Sequence, residues 1–302
     1  MKITFVIASL NAGGAEHVVA NLANAFVKQN DDIHIILLKD IRYYYLNESI
    51  TVHIVSEEKK GINYLLGSAK KIRKILQVIN PDVVVSFLTE VNIISILSSI
   101  KAPWKLVVSE RNNPIIMPKK KAYRVLRKLL YPICNAFVFQ TNQARDYFSN
   151  SIRKRGRVIH NPVNPVAVCH VPETENAFEI VSVGRLEEQK NFELLIESFS
   201  KFHDIYSDSK LTIYGEGSLR NKLEKMIDAL SLSNAVSLPG NQKNVIDLIV
   251  DKSIFVLSSN YEGMPNALME AMSVGLPCIS TDCPIGCAQE LIQDHVNGLL
   301  VP

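Results

Sequence analysis

Short apolar runs alternate with amphipathic stretches along the whole chain. Runs of this length, rich in Val, Ile, Leu and Phe, are typical of strands buried on both faces. In the first half they predict strands over residues 3–8, 33–37, 52–55, 83–87, 106–109, 136–139 and 158–160. In the second half they predict strands over residues 179–183, 211–214, 236–238, 254–257 and 278–280. Because strands that alternate with helices form βαβ units, the pattern predicts an α/β fold with parallel sheets.

The alternation breaks near the middle of the chain. Residues 161–165 read Asn-Pro-Val-Asn-Pro and show no periodicity, which is typical of a link. A chain of 302 residues has room for two domains of roughly 150 residues each. We therefore expect two doubly wound domains, residues 1–165 and 166–302, that face each other across a cleft. Ligands of such folds bind beyond the carboxyl ends of the strands.

The composition is that of an ordinary globular chain, with 47% apolar and 21% charged residues. The net charge of +3 conceals an asymmetry. Up to Pro165 there are 24 Lys and Arg against 11 Asp and Glu, and afterwards 9 against 19, so the halves carry +13 and −10. A basic N-terminal half suggests an anionic partner.

Neither a targeting segment nor a membrane span is expected. The longest apolar stretches, such as residues 91–100, are too short to cross a bilayer. Residues 1–8 lack a proper cleavage region, so they predict a first strand rather than a signal peptide. The five cysteines are scattered and odd in number, and no His cluster joins Cys283 and Cys287. We expect reduced thiols of a cytoplasmic protein and no metal site.

Residues 260–271 are where the sequence places the chemistry. They follow the strand predicted over 254–257, so Glu262 lies in the loop at the carboxyl end of that strand. Pro265 suits the first position of a helix, which we expect to end near Val274.

The same predicted helix carries a second carboxylate, Glu270, among apolar residues. A charge on so apolar a helix costs several kcal/mol unless something pairs with it. A ligand rich in hydroxyl groups would supply that pairing. The interval between Glu262 and Glu270 recurs elsewhere in the chain, so the strand–loop–helix context carries the argument. The alternative is a charge pair near the start of an ordinary helix.

Residues 181–191 form a second candidate segment. A predicted strand ends at Gly184, Arg185 lies at its carboxyl end, and Lys190 precedes the next helix. Arg offers a planar fork to phosphate oxygens and Lys a point charge, so together they suit a diphosphate. Surface salt bridges are the alternative.

Two glycine turns also follow predicted strands. Gly13 and Gly14 precede a helix whose free N–H groups could receive an anion, although a plain tight turn also explains them. Gly215 begins a Gly-Glu-Gly turn without the third glycine of a dinucleotide fingerprint, because Arg220 stands there. Glu216 in this turn could equally be a solvated loop charge.

In the first half, polar segments over residues 86–92 and 109–114 begin where predicted strands end. The second segment contains Glu110 and Arg111. Arg111 could hold an acceptor diphosphate or could simply pair with Glu110, and the sequence favours neither.

Residues 119–131 predict a basic amphipathic helix with six cations, and a second basic run covers residues 70–74. Such a helix suits an anionic membrane surface, at about 1 kcal/mol per cation. The alternative is a core-packed helix with a solvated basic face. Nucleic acid is disfavoured as a partner, since the sequence has no helix-turn-helix and no aromatic-interleaved platform.

In order along the chain, these motifs resemble retaining glycosyltransferases of family 4, which adopt the two-domain GT-B fold. Residues 254–271 resemble the family's E-x7-E motif, and residues 184–190 resemble its G-R-x-x-x-x-K segment. The segments over 86–92 and 109–114 are similar to a subgroup that builds bacterial surface polysaccharides. Many members of that subgroup carry a His where this chain has Glu110 and Arg111.

The resemblance implies transfer of a hexose or N-acetylhexosamine from a nucleotide sugar, most simply a UDP-sugar. The acceptor would be a lipid-diphosphate-linked sugar at the cytoplasmic face of the membrane. The expected catalytic residues are Glu262, Arg185 and Lys190. The expected donor-binding residues are Gly14, Gly184, Arg185, Lys190, Gly215, Glu262, Gly263, Met264, Pro265, Asn266 and Glu270. The expected acceptor-binding residues are Gly13, Glu110 and Arg111.

No cofactor or metal is expected, because the chain has no Asp-x-Asp of the metal-dependent GT-A type. The chain ends at Pro302, where family members usually continue for tens of residues, which suggests a C-terminal truncation. Two alternatives therefore stay open: a catalytically idle nucleotide-sugar-binding remnant or partner subunit, and a UDP-sugar epimerase on the same fold.

Overall fold

The computed structural model describes residues 1–56, 61–163, 178–283 and 288–302. The chain divides into two compact units, Met1–Asn161 and Pro162–Pro302. The domain boundary expected after residue 165 lies outside the described residues.

The N-terminal unit is built on a seven-stranded parallel sheet. Its strands are β1 (Lys2–Ile7), β2 (Asp32–Leu37), β3 (Thr51–Ile54), β4 (Val83–Phe87), β5 (Lys105–Glu110), β6 (Ala136–Phe139) and β7 (Gly156–Val158). Its α-helices are α1 (Gly14–Val27), α2 (Gly61–Ile79), α3 (Thr89–Ser98), α4 (Lys121–Leu130), α5 (Asn142–Asp146) and α6 (Asn150–Arg153), with a 3-10 helix over Tyr131–Ile133. The strand order is β3-β2-β1-β4-β5-β6-β7.

The C-terminal unit repeats the construction on a six-stranded parallel sheet. Its strands are β8 (Glu179–Val183), β9 (Lys210–Tyr214), β10 (Val236–Gly240), β11 (Ile254–Leu257), β12 (Cys278–Thr281) and β13 (Leu299–Val301). Its described helices are α7 (Phe192–His203), α8 (Arg220–Ala229), α9 (Val245–Ile249), α10 (Asn266–Ser273) and α11 (Ala288–Leu291). The strand order is β10-β9-β8-β11-β12-β13.

The central strands of each sheet are covered by helices on both faces, which explains why they are rich in apolar residues. Successive side chains of a strand point to opposite faces. In β1, Val6 therefore packs in a cluster with α2 and α3, whereas Phe5 and Ile7 pack in a second cluster with α1. In β8, Ile180 packs with α7 and α8, and Val181 packs with α10. Helices on both faces of a parallel sheet confirm the predicted α/β, doubly wound fold.

One predicted strand lies two residues earlier than expected, and one strand was not predicted. The strand predicted over 158–160 is β7, Gly156–Val158, because Gly156 allows close packing against Phe139 where a Cβ atom would meet the ring. Strand β13 was missed, since its run of apolar residues is only three long. It pairs in parallel with β12.

In both units the strand order reverses beside the first strand. Strand β1 lies between β2 and β4, and β8 lies between β9 and β11. This reversal is the topological switch point at which ligands of open α/β sheets bind, outside the carboxyl ends of the strands. In the C-terminal unit, the loops that follow β8 and β11 flank this point. They contain both segments that the sequence singled out.

Candidate active site

Hydrogen bonds join the two loops at the switch point of the C-terminal unit. The backbone N–H of Asn260 donates to the carbonyl of Gln189 (2.9 Å), and its side-chain amide donates to the carbonyl of Glu188 (2.7 Å). The Ser258 hydroxyl donates to the carbonyl of Lys190 at 2.8 Å. Because several bonds tie residues 187–191 to residues 258–262, the two loops form one framework.

Glu262 is the centre of this framework and is only 5% exposed. Lys190 Nζ lies 2.5 Å from Glu262 Oε1. The Ser259 hydroxyl donates to the same oxygen at 2.6 Å, and Gln189 Nε2 donates to Oε2 at 3.3 Å. Lys190 and Glu262 are both largely buried, so the alternative of a surface salt bridge is wrong for Lys190.

Glycines make room for this ion pair. A Cβ atom on Gly184 would lie 2.9 Å from Lys190 Cε, so the absent side chain lets the lysine stem cross the end of β8. Gly215 has φ +147, and a Cβ atom there would overlap the carbonyl oxygen of Gly184. Both glycines therefore permit a close backbone approach between the ends of β8 and β9.

Arg185 differs from Lys190 in that it is exposed. Its Nη2 atom lies 3.4 Å from Gln189 Oε1. Among the described residues it makes no ion pair with a carboxylate. The guanidinium is therefore placed beside the framework with hydrogen-bond donors still available to an anion.

Glu270 lies half-buried on α10, whose Leu268, Met269 and Ala271 are buried. Burial raises the pKa of its carboxyl group. In the part of the chain that the structure describes, this carboxylate has neither a hydrogen-bond donor nor a cation beside it. The sequence predicted that a carboxylate on so apolar a helix needs a partner. Since no described group of the unit provides one, Glu270 is a candidate for binding a ligand.

Four further residues expected to bind the donor, residues 263–266, lie at the start of α10. Pro265 is the N-cap rather than the first helical residue, and the helix begins at Asn266 without a side-chain cap. Met264 is buried and packs with Met269. Gly263 lies between Glu262 and Met264 in the loop. The helix stops as expected, since Gly275 follows the C-cap with φ +82.

The turn after β9 is held by its own charges. Glu216 forms an exposed ion pair with Arg220 at 2.6 Å, and Arg220 also pairs with Glu224 at 2.9 Å. Glu216 is therefore a paired surface charge. Gly240, with φ +84, lies beside this turn, and its carbonyl accepts the N–H of Gly215 at 3.0 Å.

In the N-terminal unit, Gly13 is the N-cap of α1 and Gly14 is its first residue. The carboxylate of Glu16 lies over Gly13, where a Cβ atom would meet it. A glutamate at the third helical position often turns back to the cap in this way. The Tyr44 hydroxyl donates to the Gly13 carbonyl at 3.1 Å, which fixes the turn from the other side.

Glu110, at the end of β5, is buried in a polar network. The hydroxyls of Tyr131 and Thr89 donate to Oε1 at 2.5 and 3.0 Å, and Asn92 Nδ2 donates to it at 3.2 Å. Arg127 Nη1 lies 3.5 Å from Oε2. Burial raises the pKa of Glu110 although these partners oppose the shift. Its carboxylate is therefore satisfied inside the unit.

Arg111 does not pair with Glu110, so that alternative is wrong. The cation beside Glu110 is Arg127, which reaches it from α4. Arg111 is 9% exposed and is held by Ser109 and Asn161, at 2.7 and 2.5 Å. Burial lowers its pKa to about 10.

Comparison with known proteins assigns the family. The family model described as Glycosyltransferase Family 4 matches residues 12–166, and the model described as Glycosyl transferases group 1 matches residues 170–302. An alpha-1,4-N-acetyl-D-galactosaminyltransferase of Campylobacter jejuni is 30% identical over 100% of this chain and 84% of its own length. The chain belongs to the group 1 glycosyltransferases. A 4-alpha-N-acetylgalactosaminyltransferase of Campylobacter jejuni is 29% identical to this chain, over 99% of this chain and 86% of its own length.

The fold of this glycosyltransferase is that of GT-B enzymes. The solved structure of HepE from Anabaena, in complex with UDP and glucose, is similar with a TM-score of 0.83. The alignment covers 100% of this chain and 85% of HepE. Because the identity is only 19%, the similarity supports the fold alone.

The sequence analysis missed two residues of the candidate site. Gln189 and Ser259 both donate to the Glu262 carboxylate. The signal for Ser259 was present, because two serines directly follow the apolar run of β11. Gln189 gave no such signal, since a glutamine between a glutamate and a lysine is ordinary in a polar loop.

Proposed function

We propose that the protein is a retaining family 4 glycosyltransferase that moves a hexose or N-acetylhexosamine from a UDP-sugar to a lipid-diphosphate-linked sugar. The observation that carries this proposal is the half-buried Glu270 carboxylate, unpartnered among the described residues, on the helix that leaves the switch point. The names of the two Campylobacter relatives give undecaprenol-linked acceptors, and HepE was solved with UDP. Both support the proposed substrate classes.

On the donor side, Glu270 would accept hydrogen bonds from the ribose hydroxyls, and Glu262 would contact the donor sugar. A carboxylate offers two oxygens and no donor, so it matches a vicinal pair of hydroxyl groups. The Lys190 pair and the Ser259 hydroxyl already fix the Glu262 carboxylate, so it would meet the sugar in one orientation. The backbone of Gly184, Gly215 and residues 263–266 would complete the donor site within the C-terminal unit.

During transfer, the bond between the anomeric carbon and the diphosphate breaks, and a bond to the acceptor hydroxyl forms. UDP and a proton are the other products. Negative charge grows on the diphosphate as it leaves, so Arg185 and Lys190 would stabilise the transition state electrostatically. No metal ion or cofactor takes part in the proposed reaction.

On the acceptor side, the proposed residues are Gly13, Glu110 and Arg111. Arg111 would bind an acceptor phosphate, since it is a buried cation without a carboxylate partner among the described residues. Glu110 would contribute through its hydrogen-bond network, because the hydroxyls of Thr89 and Tyr131 already donate to its Oε1 atom.

The outer face of α4 supports a membrane surface as a further partner. Lys121 and Lys128 are exposed there together with Val125 and Leu129, which are 57% and 65% exposed. A face that mixes cations with apolar side chains suits the boundary between anionic headgroups and acyl chains. No described helix is long and apolar enough to span a bilayer. We propose peripheral binding at the cytoplasmic face of the membrane, with no role for nucleic acid.

The test is a transfer assay with the purified chain, a panel of UDP-sugars and a polyprenyl-diphosphate-linked sugar. We expect UDP release only when donor and acceptor are both present, a product with the anomeric configuration of the donor, and no effect of EDTA. Glu262→Gln should lower the rate by roughly 100-fold or more. The matched control is Glu224→Gln on α8, which should leave the rate unchanged. Conversion of the UDP-sugar without acceptor, or a product of inverted configuration, would contradict the proposal.

A further inference from the structure

A second polar cluster lies at the carboxyl ends of β4 to β7 in the N-terminal unit. Phe87 ends β4, Arg111 directly follows β5, Gln140 directly follows β6, and Asn161 lies three residues beyond β7. Carboxyl ends of parallel strands meet at one edge of the sheet, which is where such folds bind ligands. The three polar residues are 9%, 4% and 6% exposed.

The charge of this cluster is uncompensated. Arg111 donates from Nε to Ser109 Oγ and from Nη1 to Asn161 Oδ1, and its guanidinium carbon lies 5.0 Å from the centre of the Phe87 ring. All of these partners are neutral. A guanidinium has five N–H donors, so these two bonds leave the outer part of the fork available to an anion. No carboxylate in the described ranges pairs with it.

The orientation of the two amides follows from this arginine. Arg111 can only donate, so Asn161 must present its oxygen to it. The same oxygen accepts the side-chain N–H of Gln140 at 3.0 Å. Gln140 Oε1 must then point away from Asn161, and this buried oxygen has no hydrogen-bond partner among the described residues. A reversed amide would bring two like groups together, so the chain of contacts fixes the orientation.

The cluster therefore offers the Arg111 cation and, linked to it through Asn161, the Gln140 Oε1 atom, which accepts no hydrogen bond from a described residue. A buried polar atom without a partner costs free energy unless a ligand or water completes it. The cation matches a phosphate, and the amide oxygen matches a hydroxyl group. A glycosyl phosphate carries a phosphate and sugar hydroxyl groups in one molecule, whereas inorganic phosphate lacks the sugar and a free sugar lacks the phosphate.

We infer that Arg111, Gln140 and Asn161 form a glycosyl phosphate site, in which Arg111 binds the phosphate and Gln140 Oε1 accepts a sugar hydroxyl. This inference rests on the proposed function, since the site would receive the first sugar and phosphate of the acceptor. Gln140 would be the residue that distinguishes a sugar-bearing phosphate from other phosphates. Asn161 is a positioning residue that aligns the other two.

The experiment is calorimetric titration of the full chain with N-acetylgalactosamine 1-phosphate and, separately, with inorganic phosphate. The name of one Campylobacter jejuni relative places N,N'-diacetylbacillosamine next to the diphosphate, and N-acetylgalactosamine 1-phosphate stands in for it as another N-acetylated glycosyl phosphate. The wild type should bind the glycosyl phosphate roughly ten-fold more tightly than phosphate. The near-isosteric variant Gln140→Met should abolish this preference and leave phosphate affinity unchanged. Arg111→Met should weaken both ligands by roughly ten-fold or more.

Two controls separate this site from the donor site and from a structural role. Arg185→Ala should keep the preference for the glycosyl phosphate over phosphate, and UDP titrated into Arg111→Met should bind as it does to the wild type. Loss of UDP binding in every chain, with glycosyl phosphate binding intact, would contradict the donor proposal and not this one. Arg111→Met and Gln140→Met should melt at or above the wild-type temperature, because each removes an unsatisfied buried group.

Several results would overturn the inference. These are equal affinity for the two ligands in the wild type, no saturable binding of either, binding lost in Arg185→Ala instead of Arg111→Met, or lower melting temperatures in both variants. If Arg111→Met does not fold, Arg111→Lys keeps the charge. It should retain phosphate binding while losing the bond to Asn161, and weaker selectivity for the glycosyl phosphate is then the expected result.

Discussion

Glu262 and Glu270 differ in what surrounds them. The Glu262 carboxylate has a lysine, a serine and a glutamine around it, and the carboxylate of Glu270 has no such partner among the described residues. The unit thus fixes the orientation of one carboxylate, and none of its described groups donates a hydrogen bond to the other. This difference is what we expect if Glu262 serves the reacting sugar and Glu270 serves the ribose.

The Lys190–Glu262 pair should also stabilise the C-terminal unit. Lys190→Met leaves the Glu262 carboxylate buried beside an apolar group, so we expect the free energy of unfolding to fall by about 3–5 kcal/mol. The double variant Lys190→Met with Glu262→Gln should lose less, because a neutral amide can still bond Ser259 and Gln189. Urea unfolding of both variants measures the difference.

The matched control is Arg220→Met, which breaks an exposed network of two ion pairs at the edge of the same unit. Exposed pairs contribute about 0–1 kcal/mol each, so this loss should be much smaller. Equal losses for Lys190→Met and Arg220→Met would mean that burial of the Lys190–Glu262 pair has no energetic consequence.

At the scale of elements, α4 has two kinds of cation. Arg127 is buried with Glu110, and its Nη2 donates to the carbonyl of Pro114 at 2.7 Å. Arg124 donates to the carbonyls of Pro118 and Ile116. These two arginines hold the helix on the unit, so the exposed lysines of α4, Lys121 and Lys128, are the cations that we propose for a membrane surface.

We predict that the outer face of α4 binds anionic vesicles. Lys121→Gln with Lys128→Gln removes two cations, each contributing about 1 kcal/mol, so affinity should fall roughly 30-fold. Leu129→Ser should also weaken binding, because it removes an exposed apolar anchor. Co-sedimentation with phosphatidylglycerol vesicles measures both changes.

The matched control for the leucine is Leu194→Ser, at an exposed position of α7 in the acidic half. It should bind vesicles as the wild type does. If the lysine variant and Leu129→Ser both sediment like the wild type, α4 is only a solvated basic face.

The sequence determined the elements better than the partners of their side chains. Strand β11 is a continuous apolar run and β1 has an apolar run interrupted only by Thr4, so local pattern was sufficient to find them. The partner of Glu110 was not local, since Arg127 is brought to it by the packing of α4. Nor could the sequence show that Gln140 and Asn161 meet Arg111, because that contact depends on three successive strands ending at one edge.

On the scale of the whole molecule, one architecture occurs twice with opposite charge. The half up to Pro165 carries +13 and the remainder −10, although both contain a parallel sheet with a switch point beside its first strand. The basic half would serve an anionic lipid-linked acceptor, and within the acidic half a local cluster of Arg185 and Lys190 would serve the donor. We therefore propose that the switch point of the C-terminal unit binds UDP through Glu270 and Arg185.

The most direct measurement is calorimetric titration of the purified chain with UDP, ADP and GDP across a range of pH. We expect saturable binding that favours UDP and weakens by roughly ten-fold or more in Arg185→Ala and Glu270→Gln. The ionised Glu270 carboxylate is the acceptor, so UDP affinity should be full above its pKa and should fall as the pH drops through it. Since burial raises this pKa, the fall should begin above the range of an exposed glutamate, about 4.3, and should be absent in Glu270→Gln. A folded chain that binds no UDP, or binds it equally well in both variants, would contradict the account.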